Sequence, residues 1–240
     1  MQKLFVDSVD GERIVLDGES ARHIAKSLRM RVGDMICVTD GGAEDYGCQI
    51  EEITRDEVVL KVCYKQACES EPTCRVTIYQ GVPKSSKLED IIQKCVELGV
   101  TEIVPTLTKR CVSRPDDKSA GKKNVRYQKI ALEAAQQSGR GIVPQIQNMK
   151  TLKQAVVDDD SEVKIVFYEG GGERLTDIVK PNAKSVAVFI GPEGGFEESE
   201  VELIEKAGGV RATLGKRILR TQTAPVAALT AIMLITNNLE

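Results

Sequence analysis

Hydrophobic positions in the first seventy residues fall in short runs, each closed by a turn-forming dipeptide. Leu4–Val6, Arg13–Leu16, Met35–Thr39, Gly47–Ile53 and Val58–Tyr64 alternate or run apolar, and Asp10-Gly11, Asp17-Gly18 and Asp40-Gly41-Gly42 stand between them. Alternation of period two bounded by Asp-Gly turns predicts strands. One helix interrupts them, with Ser20 as its N-cap and Ile24, Ala25 and Leu28 on one face. The pattern is that of a small β-barrel-like module, followed by a polar linker over residues 66–74 that contains Pro72.

From residue 75 the period changes. Val76–Gln80 is strand-like, and Ser86–Leu98 then puts Leu88, Ile91, Ile92, Cys95 and Leu98 on one helical face before Gly99 ends it. Glu102–Leu107, Val163–Tyr168, Ser185–Ile190 and Val210–Leu214 read as further strands, Val125–Ser138 and Glu198–Ala207 as further helices. Strands alternating with helices predict an α/β fold built on a parallel sheet. The chain therefore divides at residues 1–70 and 71–240. Pro225–Ile235 is apolar nearly all round, so it must be covered on more than one side, by the core or by a second copy of the chain. The pattern alone favours the core.

Composition adds little until charge is divided along the chain. At 240 residues, 41% apolar and 29% charged, the protein has an ordinary globular make-up. No apolar run approaches the roughly 20 residues of a membrane span, and the first seven residues lack the apolar core of a signal peptide, so a cytoplasmic protein is expected. The net charge of −3 hides a gradient. Residues 1–70 carry 9 basic and 14 acidic groups, residues 71–150 carry 14 and 8, and residues 151–240 carry 10 and 14. Local density decides whether a polyanion is attracted, and the middle third is basic. Seven cysteines with no CxxC pair and the lone His23 predict reduced thiols and no metal site. His23 itself reads as a packed residue of the first module.

Two glycine-bearing loops follow predicted strands near the C-terminus. They are Ile190-Gly191-Pro192-Glu193-Gly194-Gly195-Phe196 and Leu214-Gly215-Lys216-Arg217-Ile218-Leu219-Arg220-Thr221-Gln222-Thr223-Ala224. Ligands of open α/β sheets bind where loops leave the carboxyl ends of strands, and glycine lets backbone approach them closely. No GxxxxGK[ST] or GxGxxG is present, which argues against an NTPase or a nicotinamide enzyme.

Together the two loops and Glu200 resemble the signature of the ribosomal RNA small subunit methyltransferase E family, in the SPOUT class of knotted methyltransferases. Three other segments resemble that family in the same order along the chain. They are His23–Asp34, similar to its PUA-like module, then Lys84–Gly99 and Glu133–Arg140, similar to successive helical motifs of its methyltransferase domain. The resemblance implies a PUA-like β-barrel over 1–70 and a methyltransferase domain over 71–240 whose end is threaded into a trefoil knot. It implies S-adenosyl-L-methionine (SAM) held by Tyr168, Glu169, Gly191, Pro192, Glu193, Gly194, Leu214, Gly215, Ile218, Leu219 and Thr223. The implied reaction is methylation of N3 of a uridine in 16S ribosomal RNA of the small subunit, by a homodimer joined through the C-terminal domain. The last helix is then expected near that interface.

The chemistry assigns further roles. Uracil N3–H is a weak acid, so the site needs a base or a cation that stabilises the anion. Arg220 is the candidate for anion stabilisation or base orientation, with Gln222 beside it. The family's usual run is Leu-Arg-Thr-Glu-Thr, and Gln222 replaces a glutamate that could accept a proton. Arg110, Arg114, Lys122, Lys123 and Arg126 are candidates for phosphates near the site, and Arg22, Lys26, Arg29 and Arg31 for RNA further out. Two other readings stay open: a non-catalytic RNA-binding assembly factor of the same fold, which Gln222 favours, and a SPOUT enzyme acting on another RNA.

Overall fold

A computed structural model describes residues 3–42 and 44–239, apart from the side chains of Asp117 and Lys118. The chain forms two compact units. The first takes it through Glu71 together with Ala135–Val143, and the second holds Pro72–Ala134 and the chain from Pro144 onward.

In the first unit, β1 (Lys3–Phe5), β2 (Arg13–Asp17), β3 (Met35–Thr39), β4 (Glu44–Ile53) and β5 (Glu57–Ala67) form one sheet in the order β1-β3-β4-β5-β2. Only β1 and β3 pair in parallel. The sheet stays open, because β1 and β2 are its two edges, and so makes a half-barrel. Inward positions of the alternating strands supply its core, among them Ile14, Leu16, Ile36, Val38, Ile50, Val58 and Leu60. The long β4–β5 pair shifts register at Gly47/Cys48 and again at Ile50/Glu52. At the first shift a Cβ on residue 47 would stand 2.1 Å from the Tyr64 ring, so only glycine fits beneath that aromatic. The expected helix begins at Gly18 instead of at a Ser20 cap: α1 (Gly18–Arg22) runs on into a wider turn, His23–Ser27, and Arg29 leaves it at φ +52°. His23 is half-buried there, and its carbonyl accepts from the Leu28 N–H.

The second unit opens with β6 (Arg75–Gly81), α2 (Lys87–Glu97), β7 (Glu102–Leu107) and α3 (Asp117–Ser138). The helix α3 starts eight residues before the apolar stripe that announced it. Asp116 accepts from the Ser119 N–H and begins the turn, and the polar run that follows carries no periodicity to read. After β8 (Gln145–Ile146) and β9 (Lys150–Thr151) come α4 (Leu152–Asp158), β10 (Val163–Phe167), β11 (Glu173–Arg174), α5 (Leu175–Ile178), β12 (Ser185–Ile190), α6 (Glu198–Lys206), β13 (Val210–Thr213) and α7 (Thr223–Ile235). The sheet order is β11-β13-β10-β12-β6-β7-β8, with β9 also on β7, and every pair is parallel. A parallel sheet must be covered on both faces, which is why β6 and β12 read as nearly continuous apolar runs. Tyr79 of β6 stacks on Phe189 of β12 at 4.5 Å between ring centroids.

The helix α7 buries Pro225, Ala228, Leu229, Ile232 and Met233, whereas Val226, Ala227 and Ala231 stay half-buried and Leu234 is exposed. The cysteines are all free, and five of the seven are buried. Burial pushes the Cys48 and Cys95 thiols up to about 11 and about 12, so both remain protonated and unreactive at neutral pH. Among the described residues no helix is long and apolar enough to cross a membrane.

The return of Ala135–Val143 to the first unit is not announced by any periodicity. It rests on a nearly buried ion pair: Arg140 donates to Glu71, whose carboxylate also accepts from the Gly141 and Ile142 N–H groups at 2.9 and 3.1 Å. Gly139, at φ +74°, ends α3 just before it. Removing one member of such a pair leaves the other buried without its counter-charge. Arg140→Ala is therefore expected to destabilise the first unit by about 3 kcal/mol. The check is the urea midpoint followed by amide exchange in β3–β5; an unchanged midpoint would mean that the pair contributes nothing.

Candidate active site

Because β10, β12 and β13 run parallel, their carboxyl ends at Phe167, Ile190 and Thr213 lie along one edge of the sheet. The loops that leave those ends enclose a cavity of about 420 Å3. Its size suits a nucleoside-sized ligand. Buried Ile190 and Phe196 give it an apolar floor.

The first loop is shaped by contacts that only glycine allows. A Cβ on Gly191 would sit 2.9 Å from the Gly195 carbonyl carbon, and one on Gly81 would sit 2.6 Å from Pro192. Gly195 takes φ +68°. Glu193 then anchors the loop to the start of α2, accepting from the Lys84 N–H at 3.1 Å and from Lys87 Nζ at 2.7 Å. Burial pushes the Glu193 carboxyl up, but Lys87 and the backbone donors outweigh it and hold the carboxyl below its ordinary 4.5. Arg110 donates to the Gly194 carbonyl at 2.8 Å.

A second set of contacts joins this loop to the one after β13. Gln80, fully buried at the end of β6, donates from Nε2 to Thr221 Oγ1 at 3.1 Å, to the Gly81 carbonyl at 3.0 Å and, at 3.4 Å, to the Gly191 carbonyl. Thr221 in turn donates to the Gly191 carbonyl at 3.0 Å. The Gln80 Oε1 has no protein partner. The sequence gives no warning of this node, because Gln80 sits within a strand pattern and the loops it joins lie more than a hundred residues away.

The segment between β13 and α7 is pinned at both ends. Thr213 Oγ1 accepts from the Gly215 N–H, where Gly215 turns at φ +101°, and the Arg220 carbonyl accepts from the Thr223 and Ala224 N–H groups as α7 begins. Lys216, Arg217 and Arg220 stand exposed on it and line the cavity. On the opposite wall Tyr168 is held by the Arg211 guanidinium, 5.2 Å from its ring centroid, and the Glu198 carboxylate beside its hydroxyl raises the phenol above its ordinary pKa. Arg211 also pairs with Glu198 and Glu205. Glu200, the acid expected from the motif, is buried and structural. It accepts from the Glu197 and Lys109 N–H groups and so caps α6.

Most of the residues expected to hold a cofactor meet here: Tyr168, Glu169, Gly191, Pro192, Glu193, Leu214, Gly215, Ile218 and Leu219 line the cavity, as does Arg220. Gly194 and Thr223 do not; the former offers its carbonyl to Arg110 and the latter starts α7. Gln222 lies outside the wall too, its Nε2 donating to Asp90 Oδ2 on α2 at 3.3 Å. Three of the cations expected to meet phosphate already hold protein groups: Arg110 the Gly194 carbonyl, Arg114 the Thr108 carbonyl, and Arg126 the carboxylate of Glu89. Lys122 is exposed and Lys123 half-buried on α3. In the first unit Arg22, Lys26, Arg29 and Arg31 are all exposed, along and just beyond the helix and its wide turn.

Comparison with known proteins agrees with this arrangement. A family model described as an RNA methyltransferase domain matches residues 69–233, and one described as an RNA methyltransferase PUA domain matches residues 16–63. The chain is 37% identical to ribosomal RNA small subunit methyltransferase E of Bacillus subtilis (strain 168), covering 97% of this chain and 96% of that one. It is 32% identical to the protein of the same name from Mesomycoplasma hyopneumoniae (strain 232), covering 96% and 98%. Among solved structures, a ribosomal RNA small subunit methyltransferase E from Neisseria gonorrhoeae bound to S-adenosyl methionine superposes with a TM-score of 0.89 at 29% identity, covering 98% of this chain and 97% of that one.

The Glu193 anchor makes a pH prediction. Its folded carboxyl titrates below the ordinary 4.5, so the stabilisation it gives the loop is present above that value and is lost as pH falls through the depressed one. Lys87→Met is expected to move the Glu193 midpoint upward in a carboxyl-carbon NMR titration; an unmoved midpoint would deny Lys87 that role.

Proposed function

We propose, since this chain belongs to the ribosomal RNA small subunit methyltransferase E family, that it transfers the methyl group of SAM to N3 of a uridine in the decoding region of 16S ribosomal RNA. The observation that carries the reading is the glycine-walled cavity with Arg220 on its rim, free of any carboxylate partner among the described residues. The residues present fit SAM: Gly191, Gly195 and Gly215 line the cavity without side chains, and the pocket has the volume of a nucleoside ligand. Gly191, Pro192, Glu193, Gly195 and the backbone of Leu214–Leu219 would hold it, with Tyr168 and Glu169 opposite. Bound SAM supplies an activated methyl group on a sulfonium centre.

The rest of the chemistry falls to the chain. Loss of the N3 proton leaves negative charge spread over N3, O2 and O4 of uracil. A guanidinium beside that anion stabilises it most in a site from which water is excluded. Arg220 is suited to this, since its carbonyl is fixed by the first turn of α7 and its side chain starts from a set point. Holding N3 in line with the donor can itself contribute on the order of 7–11 kcal/mol. Gln222 belongs to the tether with Asp90 in this reading, and is not a proton acceptor. Its departure from the family's glutamate is then no reason to prefer a non-catalytic binder.

The substrate is bound as a phosphate-rich surface in the small subunit. Arg22, Lys26, Arg29 and Arg31 contact RNA through the first unit, and Lys122 and Lys123 through the second; Arg110, Arg114 and Arg126 join only by exchanging the protein groups they now hold. The trefoil threading is part of the same proposal, supported by the contact of Thr221, just before α7, with the loop that leaves β12. So is a cytoplasmic homodimer joined through the C-terminal domain, supported by the incompletely covered apolar face of α7.

The test is incubation of the protein with labelled SAM and small ribosomal subunits that lack the modification, followed by mass spectrometry of the digested RNA. Label on N3-methyluridine is expected. Label on another base or another RNA would overturn the assignment of position, and SAM binding without transfer would favour an assembly factor. Arg220→Ala is expected to lower kcat by about 10²–10³-fold, the usual effect of removing one stabilising donor, with SAM affinity kept in calorimetry; a loss of affinity instead would make Arg220 a cofactor contact.

A further inference from the structure

The segment that closes the cavity has an unusual tip. Ile218 lines the cavity by position, yet it is 86% exposed. A side chain pointing into a concave pocket is screened by the walls around it, so this exposure means that the sec-butyl group projects outward from the mouth. The other apolar lining residues behave differently: Ile190 and Phe196 are buried, and Phe167, Leu214 and Leu219 are half-buried. Three exposed cations bracket Ile218, namely Lys216, Arg217 and Arg220, and none of the three has an ion pair or side-chain hydrogen bond among the described residues. Both ends of the segment are pinned, by Thr213 and by the first turn of α7, so the tip is presented on a fixed base. A single large apolar group among unpaired cations beside a cavity is complementary to a nucleic acid whose bases part at that point. The cations take the phosphates, and the apolar group fills the gap in the stack.

We propose that Ile218 is an RNA wedge: it occupies the place vacated by the target uridine when that base turns out of its stack into the cavity, with Lys216 and Arg217 holding the flanking phosphates. The inference rests on the N3 reading above. N3 is on the Watson–Crick edge, so a uridine paired within a helix cannot present it to the methyl donor without leaving its place. Ile218 then acts as a positioning residue. It stabilises the turned-out substrate, and Arg220 acts on the base once it has arrived.

The experiment compares wild type, Ile218→Ala, Ile218→Phe and Lys216→Ala/Arg217→Ala in four assays. These are SAM affinity by calorimetry, single-turnover transfer to unmodified small subunits, mass in sedimentation, and fluorescence of a hairpin RNA carrying 2-aminopurine beside a uridine. Ile218→Ala should keep SAM affinity within about twofold and leave the mass unchanged, yet lose tenfold or more in transfer and abolish the fluorescence rise seen with wild type; these magnitudes are about those of losing a few stacked contacts. Ile218→Phe, which still fills a gap, should recover most of both. The double cation variant should weaken RNA binding and flatten its salt dependence while sparing SAM. A tenfold loss of SAM affinity in Ile218→Ala would make the side chain a cofactor contact, and a change of mass would make it a contact between copies of the chain. Unaltered transfer and fluorescence would remove it from the mechanism; each of these outcomes overturns the proposal. The fluorescence assay needs no methyl transfer, so failure of the wedge and failure of the N3 reading are told apart.

Discussion

The cavity exists because one buried carboxamide holds two loops of distant sequence against each other. Gln80 donates to Thr221 and to the backbone around Gly81 and Gly191, and Thr221 completes the circuit by donating to Gly191. Polar groups in so dry a place are costly when left unpaired, so each bond here constrains the others. The Gly191 loop cannot shift without stranding Thr221, and Thr221 cannot shift without moving Arg220 and the first turn of α7. The glycines make this close approach sterically possible, and the Glu193 anchor to α2 fixes the outer side of the same loop. The position of Arg220 on the cavity rim is thus set from the centre of the sheet outward.

Legibility from sequence followed burial. Elements whose faces are set by a core, such as α2, β6, β12 and β13, were announced by their hydrophobic period to within a residue or two. The two-residue strands β8, β9 and β11 are too short to have a period. The polar first half of α3 has none, and α4 is announced only by its cap, Thr151 with Gln154, a pattern easily passed over in a loop. The candidate site was legible where glycines and a charged loop break an apolar run. Gln80 and Thr221 were not, because a buried polar residue acquires its meaning from partners that only the folded topology brings near. The return of Ala135–Val143 to the first unit is hidden for the same reason: Glu71 and Arg140 give no sign in sequence that they meet.

Gln222 shows how one local contact can account for a departure from a family pattern. Its amide faces the carboxylate of Asp90 at 3.3 Å. A glutamate in the same rotamer would set two carboxylates against each other, with only the longer and exposed contact from Lys94 to relieve them. The amide turns that repulsion into a hydrogen bond and ties the start of α7 to α2. The substitution at 222 is therefore best understood together with the residue at 90, and it bears on the geometry of the loop before it bears on proton transfer.

The 141 residues that separate Gln80 from Thr221 make the cavity a late product of folding. Contacts so far apart in sequence close only after the intervening strands have found their places, and such non-local closure is slow. A molecule caught midway can hold nearly all of its helices and most of its sheet and still offer a nucleoside nowhere to sit. Ligand affinity is for that reason a stricter gauge of the finished fold than any measure of secondary structure, and a bound ligand favours the last step of assembly over all the earlier ones.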